Sequence, residues 1–129
     1  LILLDTSVLI DALTGPRRSA RRLRVAIERG ERILLSTLVL YEWLRGPRRE
    51  EEIAAQEALF PGASAVAFGQ DEASLAARLY QTVRSPRGRE IDLAIAACAL
   101  TQLAALWTLN PRDFSDVPHL RLLEAGLHK

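Results

Sequence analysis

The sequence predicts a three-layer α/β/α fold with a central, mainly parallel sheet, formed by a single domain spanning residues 1–129. Short, mostly apolar runs, of which Leu1 to Leu4 is the clearest, alternate with helical patterns along the chain. Parallel strands need crossover connections, and helices are the usual crossover. The apolar runs are continuous and not alternating, as expected of strands buried on both faces. With 129 residues, 49% of them hydrophobic, the chain suffices for one core and is short for two.

Leu1 to Leu4 is too short and too apolar for a helix and reads as a buried strand ending at Asp5. Thr6 and Ser7 offer capping hydroxyls to a helix beginning at Val8, which Gly15 and Pro16 stop. Arg18 to Arg29 forms a basic amphipathic helix closed by Gly30, and Ile33 to Leu35 is a second strand. Ser36 or Thr37 caps a helix that carries Glu42 and ends at Gly46-Pro47. Arg48 to Phe60 reads as helix, Ala65 to Phe68 as a third strand, and Asp71 to Val83 as helix. After the Ser85-Pro86-Arg87-Gly88 turn, a helix from Glu90 to Ala105 feeds a fourth strand, Leu106 to Leu109. Leu120 to Leu123 is a candidate edge strand.

No apolar stretch approaches the roughly 18 residues of a membrane span, so a soluble, cytoplasmic protein is expected. The single cysteine, Cys98, lies in an apolar helical run and reads as core. The formal charge of +1 says little, but its distribution says more. Seven arginines between Arg17 and Arg32 face only Glu28 and Glu31, and Arg84, Arg87 and Arg89 cluster before Asp92. Both groups read either as solvated faces or as phosphate contacts.

In an open parallel sheet, ligands bind beyond the carboxyl ends of the strands. Asp5 ends the first strand. Glu42 lies farther along its helix, but helical side chains lean toward the N-terminus and return it to the same rim. The helix carrying Asp92 runs antiparallel to the strand it feeds, so its first turn belongs to that rim as well. Asp113 follows the fourth strand. Taken singly, each acid has an ordinary explanation: helix cap, surface charge, dipole partner or turn former. Together they would repel one another without a cation among them. An all-oxygen set favours Mg2+, with Mn2+ able to substitute, over zinc. His119 and His128 lie near the end of the chain and carry no expected role.

Acids beside arginines suit phosphodiester hydrolysis by metal-activated water. Asp5 and Asp92 are the expected principal ligands. Glu42 binds through water or orients the nucleophile, and Asp113 holds a second ion or a bound water. Thr6 and Asn110 would fix ligand geometry from behind, while Arg84, Arg87 and Arg89 would contact RNA phosphates. A phosphoacceptor receiver needs a lysine near its last strand, whereas the only lysine is Lys129. A haloacid-dehalogenase-type enzyme needs an aspartate where Ser7 stands, and neither glycine-rich nucleotide fingerprint occurs.

Four segments carry a family resemblance: LILLDTSVLID, STLVLYEWLRG, IDLAIAACAL and TLNPRDF. In this order and spacing the chain resembles the PIN-domain ribonucleases, particularly the VapC toxins of toxin–antitoxin pairs. The resemblance implies magnesium-dependent cleavage of RNA, a homodimer, and inhibition by a small cognate antitoxin. Asn110 and Asp116 compete with Asp113 for the fourth acidic position, and the turn spacing favours Asp113. The other readings are a PIN nuclease of RNA processing outside toxin–antitoxin systems and a weakly active PIN-like module of a DNA-binding regulatory complex.

Overall fold

The computed structural model describes residues 1–123, and His128 and Lys129 lie outside them. Among the described residues, three parallel strands form the sheet: β1 (Ile2–Leu4), β2 (Ile33–Leu34) and β3 (Ala105–Trp107), in the order β2-β1-β3. Ile2 pairs with Ile33 on one side and Ala105 on the other, and Leu4 pairs with Trp107. Successive strand side chains point to opposite faces. Ile2, Leu3 and Leu4 are nevertheless all buried. Helices therefore cover both faces of the sheet, which gives the expected three layers.

The expected third and fifth strands are reduced to single parallel bridges at the two edges, Ser36 with Val66 and Leu106 with Leu122. Each bridge is closed by two backbone hydrogen bonds: Val66 to the Leu35 carbonyl and Thr37 to the Val66 carbonyl on one edge, and Leu106 to the Arg121 carbonyl and Leu123 to the Leu106 carbonyl on the other. A 3₁₀ turn at Gly62–Ser64 delivers Val66 to its edge, and the chain enters a helix again at Gln70. That leaves too little extended chain for a ladder.

Among the described residues, six α-helices fill the outer layers: α1 (Thr6–Leu13), α2 (Ala20–Glu28), α3 (Thr37–Arg45), α4 (Glu50–Leu59), α5 (Gln70–Thr82) and α6 (Glu90–Thr101). Ser36, not Thr37, caps α3, its hydroxyl accepting from the Val39 amide at 3.2 Å. Among the described residues, no helix is long and apolar enough to cross a membrane.

The last helix ends earlier than the expected Ala105. Leu103 adopts φ +54°, and the Ala104 amide reaches back to the Ala99 carbonyl at 2.9 Å. This six-to-one closure terminates a helix with one left-handed residue, usually glycine. Leu103 is accordingly 82% exposed, and Ala104 and Ala105 are released toward the sheet. Every residue from Leu93 to Ala99 is buried, so α6 is enclosed on all sides. Its Cys98 is core as expected, and burial pushes the thiol up to about 12.

Leu3 sits fully buried in the central strand. Leu3→Ala should cost about 2–5 kcal/mol, from lost transfer energy and the cavity left behind. Urea unfolding should show a lower midpoint with an unchanged slope.

Candidate active site

Asp5 sits where β1 meets α1, at the helix N-cap position, but its side chain makes no capping bond. The carboxylate is instead held from behind by two hydroxyls. Ser7 Oγ donates to Asp5 Oδ2 at 2.8 Å, and Thr108 Oγ1 donates to the same oxygen at 2.7 Å. These hydroxyls are themselves fixed by backbone donors: Leu109 N–H donates to Ser7 Oγ and Asn110 N–H to Thr108 Oγ1, both at 3.0 Å. Asp5 is 5% exposed, and a buried carboxylate requires such partners.

Thr6 also serves an acid and not the helix end. Its Oγ1 donates to Glu42 Oε1 at 2.6 Å, tying the start of α1 to the middle of α3. The expected backward lean of Glu42 is therefore present. Arg45 lies 3.5 Å from the other Glu42 oxygen but is 57% exposed, so this ion pair is weak.

Asp92 stands in the first turn of α6, half-buried. Its pKa is pushed up to about 6, first by burial and then by the charges of Asp5, Asp113 and Glu42, against the lowering influence of Arg89. The other three expected carboxylates are thus close enough to act electrostatically on Asp92. Among the described residues, however, no three acidic, histidine or cysteine side chains form a group that holds a metal ion as they stand.

Asp113 is exposed on a 3₁₀ turn, Pro111–Phe114, anchored by buried Phe114. Asn110 precedes this turn with an exposed side chain and contributes its backbone, donating to Thr108 and accepting from Asp113 N–H. Asp116, the third contender for the fourth position, is engaged elsewhere. Arg89 grips it through two hydrogen bonds, Nη2 to Oδ1 at 2.6 Å and Nη1 to Oδ2 at 3.0 Å. The same guanidinium donates to the Asp113 carbonyl at 2.9 Å. Arg89 holds the Asp116 carboxyl below its usual range. The sequence expectation grouped Arg89 with the phosphate-binding arginines. Here it clamps the 3₁₀ turn to the start of α6 and so sets Asp113 beside Asp92. Arg84 and Arg87 remain exposed on the preceding loop.

Sequence reasoning missed Ser7 and Thr108 as the residues that hold Asp5, although both lie in the quoted segments. A hydroxyl two residues after an acid at a strand end was the available signal, and it was read as a cap. His119 has φ +65° on an exposed turn and joins none of these groups.

A carboxyl raised in the folded protein penalises the fold once ionised. Below about pH 4 both states are protonated and the penalty vanishes, and it is fully present above about pH 6. An elevation from 3.8 to about 6 corresponds to about 3 kcal/mol, reduced to on the order of 1–2 kcal/mol by solvent access. Without divalent ions, Asp92→Asn should stabilise the protein by that amount at pH 8. Urea unfolding across pH 4.5–8 should show the gain shrinking as the pH falls.

The PIN domain model matches residues 2–120. Ribonuclease VapC19 of Mycobacterium tuberculosis is 39% identical over 121 residues, covering 92% of this chain and 96% of that protein. Among solved structures, the DNA-bound VapBC of Salmonella typhimurium aligns with a TM-score of 0.72 at 19% identity, covering 95% of this chain and 96% of that one. A toxin–antitoxin complex from Klebsiella pneumoniae aligns with a TM-score of 0.67 at 26% identity, covering 92% and 93%. VapBC-1 of nontypeable Haemophilus influenzae gives 0.69 at 22%, covering 95% and 96%. With the family model matching residues 2–120 and a relative of this identity matched over most of both chains, the chain belongs to the PIN-domain family, in its VapC-type toxin–antitoxin branch.

Proposed function

We propose that the chain is a magnesium-dependent endoribonuclease that acts as the toxin of a toxin–antitoxin pair. The observation that carries this reading is the arrangement of the acids: Thr6, next to Asp5, holds Glu42, Arg89 at the start of α6 holds the turn bearing Asp113, and Asp92 stands in the first turn of that same helix. Such a group gains little from staying apart from a cation and much from sharing one. The relationship to a protein named as a ribonuclease supports the substrate class, and the complexes among its structural relatives support a small cognate antitoxin as partner. A homodimer acting in the cytoplasm completes the proposal.

The donor set fits a hard dication, since Asp5, Glu42, Asp92 and Asp113 offer only oxygens. The spread of these acids is compatible with Mg2+, which keeps several waters and binds through one or two carboxylates. When bound, the ion supplies a Lewis acid and a water of lowered pKa. Asp5 and Asp92 are assigned as the residues that hold it. With one Asp5 oxygen fixed by two hydroxyls, the carboxylate presents a constant face toward the rim. Glu42, held through Oε1 by Thr6 and with its other oxygen beside Arg45, would ligate through water or orient the nucleophile. Asp113 assists from the turn that Arg89 pins, with Asn110 supporting that turn through its backbone. Arg84 and Arg87 bind RNA phosphates flanking the cut.

Asp5→Ala and Asp92→Ala should each abolish cleavage of single-stranded RNA in added Mg2+ or Mn2+, followed by gel electrophoresis. Equal turnover in the native protein and both variants would sink the mechanism. Arg87→Ala should mainly weaken RNA binding, leaving metal dependence unchanged. Mg2+ should also raise the thermal midpoint of the native protein at pH 7.5. Protonation of Asp92 competes with the ion, so this rise should be much smaller at pH 5.5 and absent in Asp92→Ala.

A further inference from the structure

Beside the acidic rim lies a cavity of about 540 Å³, lined by Arg22 of α2, Trp107, Thr108, Leu109 and the leucines at 120, 122 and 123. The Arg22 guanidinium lies over the Trp107 ring, 4.9 Å from its centre. Its Nε and Nη2 are buried and have no hydrogen-bond partner among the described residues. A buried cation with unused donors is costly unless an anion meets it. Thr108 joins this cavity to the catalytic rim, for the residue that lines it also donates to Asp5 at 2.7 Å.

We propose that this cavity is a phosphate subsite for the RNA strand, in which Arg22 binds a phosphate next to the one being cut. The inference rests on the RNA-cleaving reading above. A planar guanidinium held by stacking keeps its donors in a fixed fork, the arrangement suited to a phosphate. The surroundings supply the long-range attraction. Arg18, Arg21, Arg24 and Arg29 are exposed around Arg22, on α2 and its flanks. A polyanion drawn to this basic helix meets Arg22 in the cavity that Thr108 shares with Asp5. Four carboxylates alone repel a phosphodiester, so a neighbouring cation is needed to hold the strand. A protein carboxylate entering the cavity is the competing outcome.

The test measures binding of a short fluorescent single-stranded RNA to the full chain without divalent ions, over a range of salt concentrations. R22Q removes the charge, and R22M, which refills the space with apolar atoms, serves where R22Q disturbs folding. Either variant should bind about tenfold more weakly. The slope of log affinity against log salt should become shallower by about 0.7, one phosphate contact of a single strand. R22K should keep the slope. An unchanged slope and affinity in R22Q and R22M would overturn the proposal and leave the cavity to a protein carboxylate. If the native chain binds RNA with this Arg22 dependence but never cleaves it, the nuclease reading fails while the phosphate site stands.

Discussion

The burial of Asp5 at the end of the central strand is the constraint around which the site is organised. β1 pairs on both sides, so the residue that follows it emerges between two neighbours and not at an open edge. A carboxylate there has little water, and the protein must supply its hydrogen bonds. Ser7 and Thr108 do so from two different crossings of the rim, 101 residues apart in the chain. Their hydroxyls draw the start of α1 and the end of β3 together. β3 stops at Trp107 because the next backbone groups turn toward these hydroxyls and leave the ladder.

The same economy of hydroxyls governs the rest of the rim. Thr6 donates to Glu42 and Ser7 to Asp5, and because the Asp5 carboxylate at the N-cap position accepts from Ser7 and Thr108 it makes no capping bond to α1. Some helix stability is given up so that two carboxylates are oriented, the common exchange at functional sites. On the opposite side, Arg89 and Asp116 act as a fastener between α6 and the 3₁₀ turn. The fastener places one positive charge beside the acids, and it still leaves Asp92 raised. Negative charge therefore accumulates in excess of what the chain itself neutralises, which is the electrostatic condition for recruiting a cation.

Arginine appears in two roles that look alike in sequence. Arg89 satisfies its donors within the chain, whereas the buried donors of Arg22 find no partner among the described residues. Only the first can be assigned a structural task from contacts alone. Local composition treats both as members of basic clusters, because charge counting carries no information about what each guanidinium touches.

Much of the fold was legible in the sequence, because hydrophobic period and turn residues are local properties. Among the described residues, six helices and three parallel strands follow from runs and caps, and the lean of helical side chains accounts for Glu42 reaching Thr6. The two outer strands were not, since a four-residue apolar run looks alike whether it forms a ladder or a single bridge. The early end of α6 at a left-handed leucine was also hidden, for no glycine marks it. Local patterns alone carried the element order and the inventory of acids at strand ends. Tertiary structure alone decided which hydroxyl serves which carboxylate, which of Asp113 and Asp116 faces Asp92, and which arginine is spent. Those choices depend on contacts between segments as many as 103 residues apart, which no local pattern encodes.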